Sequence, residues 1–205
     1  MASILDFLDT AKGKELIQKS SEEVNESPDK VKSALGMALP MIMGAMKKNS
    51  NSPEGAEKLN KELSKEKHDG SVLDKIGIGG LSGLMGEGSG ILGHVLGGSQ
   101  SKIASAVGSA IGMDASKVNK LLQMAAPVIM GILGKQKRKE NIDSGGGISD
   151  LVGSVLGTNS SHDQSMLETF MDSDKGGKIA GDVAGKIFGG KGKDKPKGLG
   201  DFFKG

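Results

Sequence analysis

Two His-Asp pairs, at positions 68–69 and 162–163, have the residue types of a metal or phosphohydrolase site. Such a site needs several more histidine or carboxylate ligands converging on one ion, and the chain contains only three histidines. Each pair stands just before a short apolar run. We therefore predict that the pairs are structural caps, with Asp69 or Ser71 accepting hydrogen bonds from the N–H groups of Val72–Asp74.

An acidic segment that begins at Asp172 has the first half of a calcium-binding loop. Asp172 and Asp174 occupy loop positions one and three, and Gly177 occupies position six. Position twelve, where a bidentate glutamate is expected, is Val183. We predict a polar turn, and weak calcium binding by the two aspartates stays open.

Other sources of catalysis are excluded or lack their structural context. The chain has no cysteine, so thiolate nucleophiles, cysteine zinc sites and disulfides are excluded. The glycine-rich segment 88–93 has no preceding strand, and segment 185–191 is followed by Gly192 instead of the Ser or Thr of a phosphate-binding loop. We predict no catalytic residue, no metal and no cofactor.

A possible nucleic-acid contact lies where Ile111–Asp114 precedes an apolar helical pattern, as in a helix-turn-helix. The second helix of such a motif needs hydrogen-bond donors facing a groove and cations facing phosphate. Candidate donors and cations stand at its start: Ser116, Lys117, Asn119 and Lys120. The matching segment in the first half lies beside Glu22, Glu23 and Glu26, which would repel phosphate, so nucleic-acid binding is the alternative function.

Methionines suggest a protein-binding surface instead. Met41, Met43 and Met130 lie beside mid-helix prolines, and methionine either fills irregular cores or lines adaptable binding surfaces. We expect these three residues to contact another protein or a second copy of the chain. Core packing is the competing interpretation.

The elements that position these residues are duplicated. Residues 27–50 and 114–137 align without gaps at an offset of 87, with ten of 24 positions identical. Residues 68–76 match 162–170, and residues 90–97 match 178–185, in the same order. Three collinear blocks predict two tandem repeats of a small helical domain.

Helical periodicity continues through both copies, and no alternating run of β-branched residues is present, so we predict an all-α fold with helix-turn-helix-like helix pairs. Pro40 and Pro127 fall inside helices and should bend them. The first half of segment 77–98 has so many glycines that we expect a loop. The predicted units are residues 1–99, residues 100–188 and a flexible basic tail, residues 189–205.

Composition restricts the class of protein further. Of 205 residues, 34 are glycine and five are phenylalanine, with no tyrosine or tryptophan, and the net charge is only +2. The longest apolar stretches are about half of the roughly 20 residues that a bilayer span needs. The N-terminus has no secretory signal pattern. We expect a cytoplasmic protein without a membrane span, whose tail lysines and Phe202 and Phe203 associate weakly with an anionic surface at most.

The motifs together resemble the YidB-like family of bacterial proteins, the domain of unknown function 937. The residues that carry the resemblance are Ala38–Gly44 with Ala125–Gly131, His68–Asp74 and Gly90–Gly97. It implies a compact helical fold with a homeodomain-like motif and implies no activity. In the second copy Gln164 replaces Gly70 and Asp182 replaces His94, which argues against a required role for those residues in both halves.

These observations favour a non-enzymatic protein-interaction or self-assembly module, whose partner is another protein or the chain itself. A helix-turn-helix-like nucleic-acid-binding protein is the alternative, and the sequence names no partner, pathway or oligomeric state.

Overall fold

The structure is a computed structural model that describes residues 4–76 and 81–157. Within these ranges the chain is all-α and has no β-strand, which confirms the predicted fold class for that part of the chain. The α-helices there are α1 (Ile4–Asp9), α2 (Ala11–Val24), α3 (Pro28–Ser50), α4 (Pro53–Leu63), α5 (Val72–Lys75), α6 (Ser82–Val95), α7 (Gln100–Ile111), α8 (Ala115–Lys139) and α9 (Gly145–Leu156). Short 3₁₀ helices span Glu66–His68 and Gly97–Ser99.

Two helix pairs, α2–α3 and α7–α8, have the same connection. The first helix of each pair ends at a residue in the left-handed conformation, Asn25 at φ 50° and Gly112 at φ 65°. The second helix begins after an N-cap, Ser27 or Asp114, whose side chain accepts a hydrogen bond from a backbone N–H of the first turn. Both pairs of positions are separated by the offset of 87, so the local structure repeats with the sequence.

The two long helices, α3 and α8, continue through Pro40 and Pro127 as predicted. A proline cannot donate to the carbonyl four residues earlier, which leaves the carbonyls of Gly36 and Gln123 without that bond. The carbonyl oxygen of Gln123 faces α6, where a methyl group at Gly88 would overlap it. Glycine at this position therefore permits α6 to lie close against α8. The bend at each proline stays a prediction.

The loop expected in the first half of segment 77–98 is wrong for the residues from Ser82 onward, which form α6. Glycine lowers intrinsic helix propensity, but this helix is stabilised by burial of one face. Leu84, Ile91 and Leu92 are buried in the core, and α6 packs extensively along α8. Tertiary packing thus overrides local propensity here.

Buried residues from both predicted repeats join one hydrophobic core. Helices α3 and α8 pack against each other and against most of the other described helices. The elements that follow α3, which are α4, the 3₁₀ helix Glu66–His68 and α5, pack on α8, while α9 packs on α3. The two predicted repeats are interlocked, and their boundaries, 1–99 and 100–188, stay a prediction.

Residues 158–205 lie outside the described part of the chain, and so does the predicted basic tail, 189–205. Among the described helices, none combines the length and the apolar content that are needed to cross a membrane.

Candidate protein-interaction interface

The turns of the two helix pairs contact each other through lysines that exchange equivalent hydrogen bonds. The Nζ of Lys30, on α3, donates to the carbonyl oxygen of Gly112 at 3.3 Å. The Nζ of Lys117, on α8, donates to the carbonyl oxygen of Asn25 at 3.2 Å. Both lysines and both acceptors are related by the offset of 87, so each repeat presents a lysine to the helix terminus of the other.

This exchange is the pattern of an isologous interface, in which residue i contacts j' and residue j contacts i'. The lysine charge also lies at the C-terminal end of a helix, where the helix dipole favours a cation. The two turns therefore contact each other through reciprocal hydrogen bonds at equivalent sequence positions.

Glu26 adds a contact that has no counterpart in the second repeat. Its Oε1 is 2.7 Å from the Nζ of Lys117, and its Oε2 is 3.5 Å from the Nζ of Lys30. The hydrogen bond from Lys117 is the main cause that lowers the pKa of Glu26, and it outweighs the opposing effect of burial. The equivalent position, Met113, is buried. Each repeat thus contributes an equivalent lysine to the interface, but only the first repeat contributes a carboxylate.

Burial along α3 and α8 follows the same offset of 87 residues. Equivalent residues one turn inside each helix are fully or almost fully buried. The equivalent pairs are Val31 with Val118, Ala34 with Leu121, Leu35 with Leu122 and Met37 with Met124. Their helices pack against each other, so apolar burial lies behind the polar exchange between the turns.

The methionines predicted to form an interface lie in the core instead. Met41, Met43 and Met130 are 7%, 0% and 1% exposed, respectively. The structure corrects the expected role of these residues, because a buried side chain cannot meet a partner without opening the fold. The helical periodicity of these methionines is compatible with core packing and with an exposed interface. In the structure, other helices surround α3 and α8, so core packing results.

The predicted nucleic-acid contacts divide into two groups. Ser116 and Lys120 are exposed at the start of α8. Lys117 is bound to the turn of the first repeat, and the Oδ1 of Asn119 accepts a hydrogen bond of 2.6 Å from Gln100. The four side chains therefore do not form one donor surface.

The predicted capping of the helix after His68-Asp69 is wrong, because the side chain of neither Asp69 nor Ser71 accepts a hydrogen bond from the N–H groups of Val72–Asp74, and Asp69 forms a local turn instead. Its Oδ1 accepts a 2.7 Å hydrogen bond from the backbone N–H of Ser71, and α5 has no side-chain cap. The other predicted pair, 162–163, and the acidic segment around Asp172 lie outside the described residues. Within the described ranges, no group of three or more His, Asp or Glu residues is placed to hold a metal.

His68 is buried against α8, and its Nε2 is 3.3 Å from the Oε1 of Glu62. Burial lowers the pKa of His68, although the hydrogen bond with Glu62 opposes this effect. Partial burial raises the pKa of Glu62, but hydrogen bonds from Lys65, His68 and Lys67 outweigh it and lower the pKa to about 2. The folded state therefore favours the neutral imidazole of His68 beside the carboxylate of Glu62.

Arg138 has a structural role that sequence reasoning missed. Its guanidinium donates to the carbonyl oxygens of His68 and Lys65, each at 2.9 Å, and of Ser64 at 3.4 Å. The neighbouring Lys137 is buried, with its Nζ 3.4 Å from Asp143. Part of the basic run at 135–139 therefore binds other parts of the chain, and Arg138 in it holds the segment that follows α4. By contrast, the identity of Lys30 and Lys117 in the aligned repeats was a signal for the paired turns.

Comparison with known proteins gives one match. The model of a family described as bacterial protein of unknown function (DUF937) matches residues 6–136. No curated protein and no solved structure matches the chain.

Proposed function

The chain belongs to the DUF937 family of bacterial proteins of unknown function, and we propose that it is a non-enzymatic protein-interaction module whose repeat recognises another copy of itself. The observation that carries the proposal is the exchange of lysine contacts between Lys30 and Gly112 and between Lys117 and Asn25.

A contact of this kind supports self-recognition because each repeat supplies both halves of it, a donor and an acceptor. The apolar faces of α3 and α8 extend the contact into a shared core. Burial of apolar surface supplies most of the affinity in such associations, and the directional lysine bonds fix which surfaces meet. The repeat is thus equipped to bind a second repeat in one orientation.

Within one molecule, the covalent connection gives the two repeats a high effective concentration. The closed form, in which the repeats of one chain bind each other, therefore predominates in dilute solution. Self-assembly between chains uses the same contacts with repeats from different molecules, and it is favoured at high protein concentration.

The experiment divides the chain between α5 and α6 into fragments 1–80 and 81–205, each of which contains one of the two turns, gives each fragment a different affinity tag and expresses them together. We expect the fragments to be recovered as a one-to-one complex. Lys117→Glu in the second fragment should weaken the complex, because it places two carboxylates together at Glu26. Lys120→Glu is the matched control, since Lys120 is an exposed lysine one turn away on the same helix.

Two results would contradict the proposal. One is the recovery of two separate helical fragments that do not bind each other at micromolar concentration. The other is equal weakening by Lys117→Glu and Lys120→Glu, because the contact at the turns would then have no specific part in recognition.

Nucleic-acid binding remains the second candidate, and the exposure of Ser116 and Lys120 at a helix start favours it. A mobility-shift experiment with duplex DNA distinguishes the two functions. Binding that falls steeply with salt, and that is lost on Lys120→Glu, would support the nucleic-acid function. The self-recognition proposal predicts no such shift.

A further inference from the structure

We propose that the half-buried face of α3 around Gly36 and Pro40 is a docking site for residues 176–185 of the same chain. These residues repeat the sequence of a large part of α6, and α6 covers the equivalent face of α8. The proposal depends on the internal repeat and not on the proposed self-recognition between chains.

The contact between α6 and α8 shows how this face is covered in the first case. Pro127 leaves the carbonyl of Gln123 without its helical donor. Gly88 of α6 lies directly against that carbonyl, where a methyl group would overlap the oxygen, and Pro127, one turn later, is buried. Glycine thus lets a segment of the chain cover the point at which proline interrupts the hydrogen bonds of the long helix.

The equivalent face of α3 is open in the described part of the chain. At the offset of 87, Gly36 takes the place of Gln123, and Pro40 takes the place of Pro127. Gly36 and Pro40 are both half-buried, whereas Pro127 is buried. A Cβ built at Gly36 meets no atom of another described element within 4 Å. The surface beside this interruption of α3 therefore has room for another segment.

The occupant is identified by its sequence. Residues 176–185 align without gaps with residues 88–97, most of which lie on α6, and five of the ten positions are identical. The glycine that lies against α8 recurs as Gly176. Ile91, which is buried in the core, recurs as Ile179. The segment therefore repeats both the glycine and an apolar residue of the α6 contact.

The described chain also ends beside this face. Lys47 lies on the same side of α3 as Gly36, because the eleven residues between them make about three full helical turns and span about 16 Å. The Nζ of Lys47 donates to the carbonyl oxygen of Ser149, on α9, at 2.8 Å. Helix α9 ends at Leu156, and the twenty residues from there to Gly176 span up to about 66 Å when extended. The connection is therefore long enough for this docking.

A second copy of the chain is the competing occupant of the open face. The α6 helix of a second copy packs on its own α8 and buries Leu92 in the core. Docking of that helix on another molecule would require it to leave this contact. Residues 176–185, by contrast, are held near α3 by their covalent connection, which gives them a high effective concentration. The segment of the same chain is therefore the favoured occupant.

Photo-cross-linking in the full chain tests this docking, because the natural sequence has no cysteine that would compete for a label. Ser33→Cys, one turn before Gly36, carries a benzophenone maleimide. Lys120→Cys is the equivalent position on α8 and is the reference, because Gln123, one turn later, lies against α6. The label at Lys120→Cys should therefore cross-link to α6. Products are mapped by mass spectrometry of a digest, and an equal mixture of ¹⁴N and ¹⁵N protein distinguishes links within a chain from links between chains.

We expect Ser33→Cys to cross-link to residues 176–185 of the same chain. Adding Ile179→Asp should lower the yield of this product at least fivefold, because the new charge would have to leave water on docking. Lys178→Asp is the matched control, because Lys178 stands where the exposed Gly90 stands on α6. The control should leave the yield unchanged.

Three results would overturn the proposal. The first is a Ser33→Cys product that contains no residue of 176–185, while the reference position cross-links to α6. The second is a link between ¹⁴N and ¹⁵N chains at these positions, because the occupant would then be a second copy. The third is an equal yield from the Ile179→Asp and Lys178→Asp variants, because the apolar residue would then have no part in the contact.

Discussion

The contact between α6 and α8 predicts opposite effects for the same substitution at two glycines of one helix. Gly88 is buried, and a methyl group there would overlap the carbonyl oxygen of Gln123. Gly90 is exposed, and a methyl group there meets no atom within 4 Å. Neither glycine has a positive φ. Comparing Gly88→Ala with Gly90→Ala therefore separates the effect of steric overlap from the effect of helix propensity.

The magnitudes follow from the surroundings of each residue. Replacing an exposed glycine inside a helix by alanine stabilises it by about 1 kcal/mol, and Gly90→Ala should show this gain. Gly88→Ala has the same gain in propensity, but the overlap displaces α6 from α8. Overpacking costs roughly 1–3 kcal/mol, and displacement also exposes Leu84 and Leu92, which are buried at this contact. If partial exposure of the two leucines costs about 1 kcal/mol more, this cost offsets the gain in propensity and we expect a net loss of about 1–3 kcal/mol.

Urea unfolding of the full chain, followed by circular dichroism at 222 nm, measures both values. Gly90→Ala should unfold at higher urea than the natural protein, and Gly88→Ala at lower urea, with similar slopes. A Gly88→Ala variant that is stabilised as much as Gly90→Ala would refute the close approach of α6 to Gln123.

Further predictions concern the segment that packs on α8. Burial lowers the pKa of His68 below its unfolded value of 6.5, so the unfolded chain binds a proton at a pH at which folded His68 is still neutral. The free energy of unfolding should therefore fall as pH decreases through 6.5. His68→Gln should remove this pH dependence, measured by urea unfolding at a series of pH values. The pKa of Glu62, lowered from 4.5 to about 2, should cause a second loss as pH falls below 4.5, and Glu62→Gln should abolish that acid step. Arg138→Met should destabilise the chain because three carbonyls lose their donor, whereas Lys139→Met, at an exposed position, should leave the unfolding midpoint unchanged.

Local chemistry explains why much of the fold was predictable. The N-caps Ser27 and Asp114, the apolar periodicity of α3 and α8, and the internal repeat all depend on short stretches of sequence. The failure at α6 has the opposite cause. Its helical state depends on burial of Leu84 and Ile91 against α8, a contact that glycine content alone does not reveal.

The candidate interface was less predictable than the fold. Apolar residues such as Met43 follow a helical pattern whether they face a core or a partner, so the sequence did not distinguish these roles. Arg138 stands in a basic run at the end of α8, and only the tertiary structure shows the carbonyls that it binds. Lys117 was identified, but as a candidate nucleic-acid contact instead of the reciprocal of Lys30.

A charge-exchange cycle between separately purified fragments 1–80 and 81–205 tests self-recognition most directly. Glu26→Lys in the first fragment and Lys117→Glu in the second should each reduce the affinity, because each places like charges together. The two variant fragments combined should recover most of the affinity of the natural pair, measured by isothermal titration calorimetry. Losses that simply multiply in the combined variants, with no recovery, would contradict recognition through the paired turns.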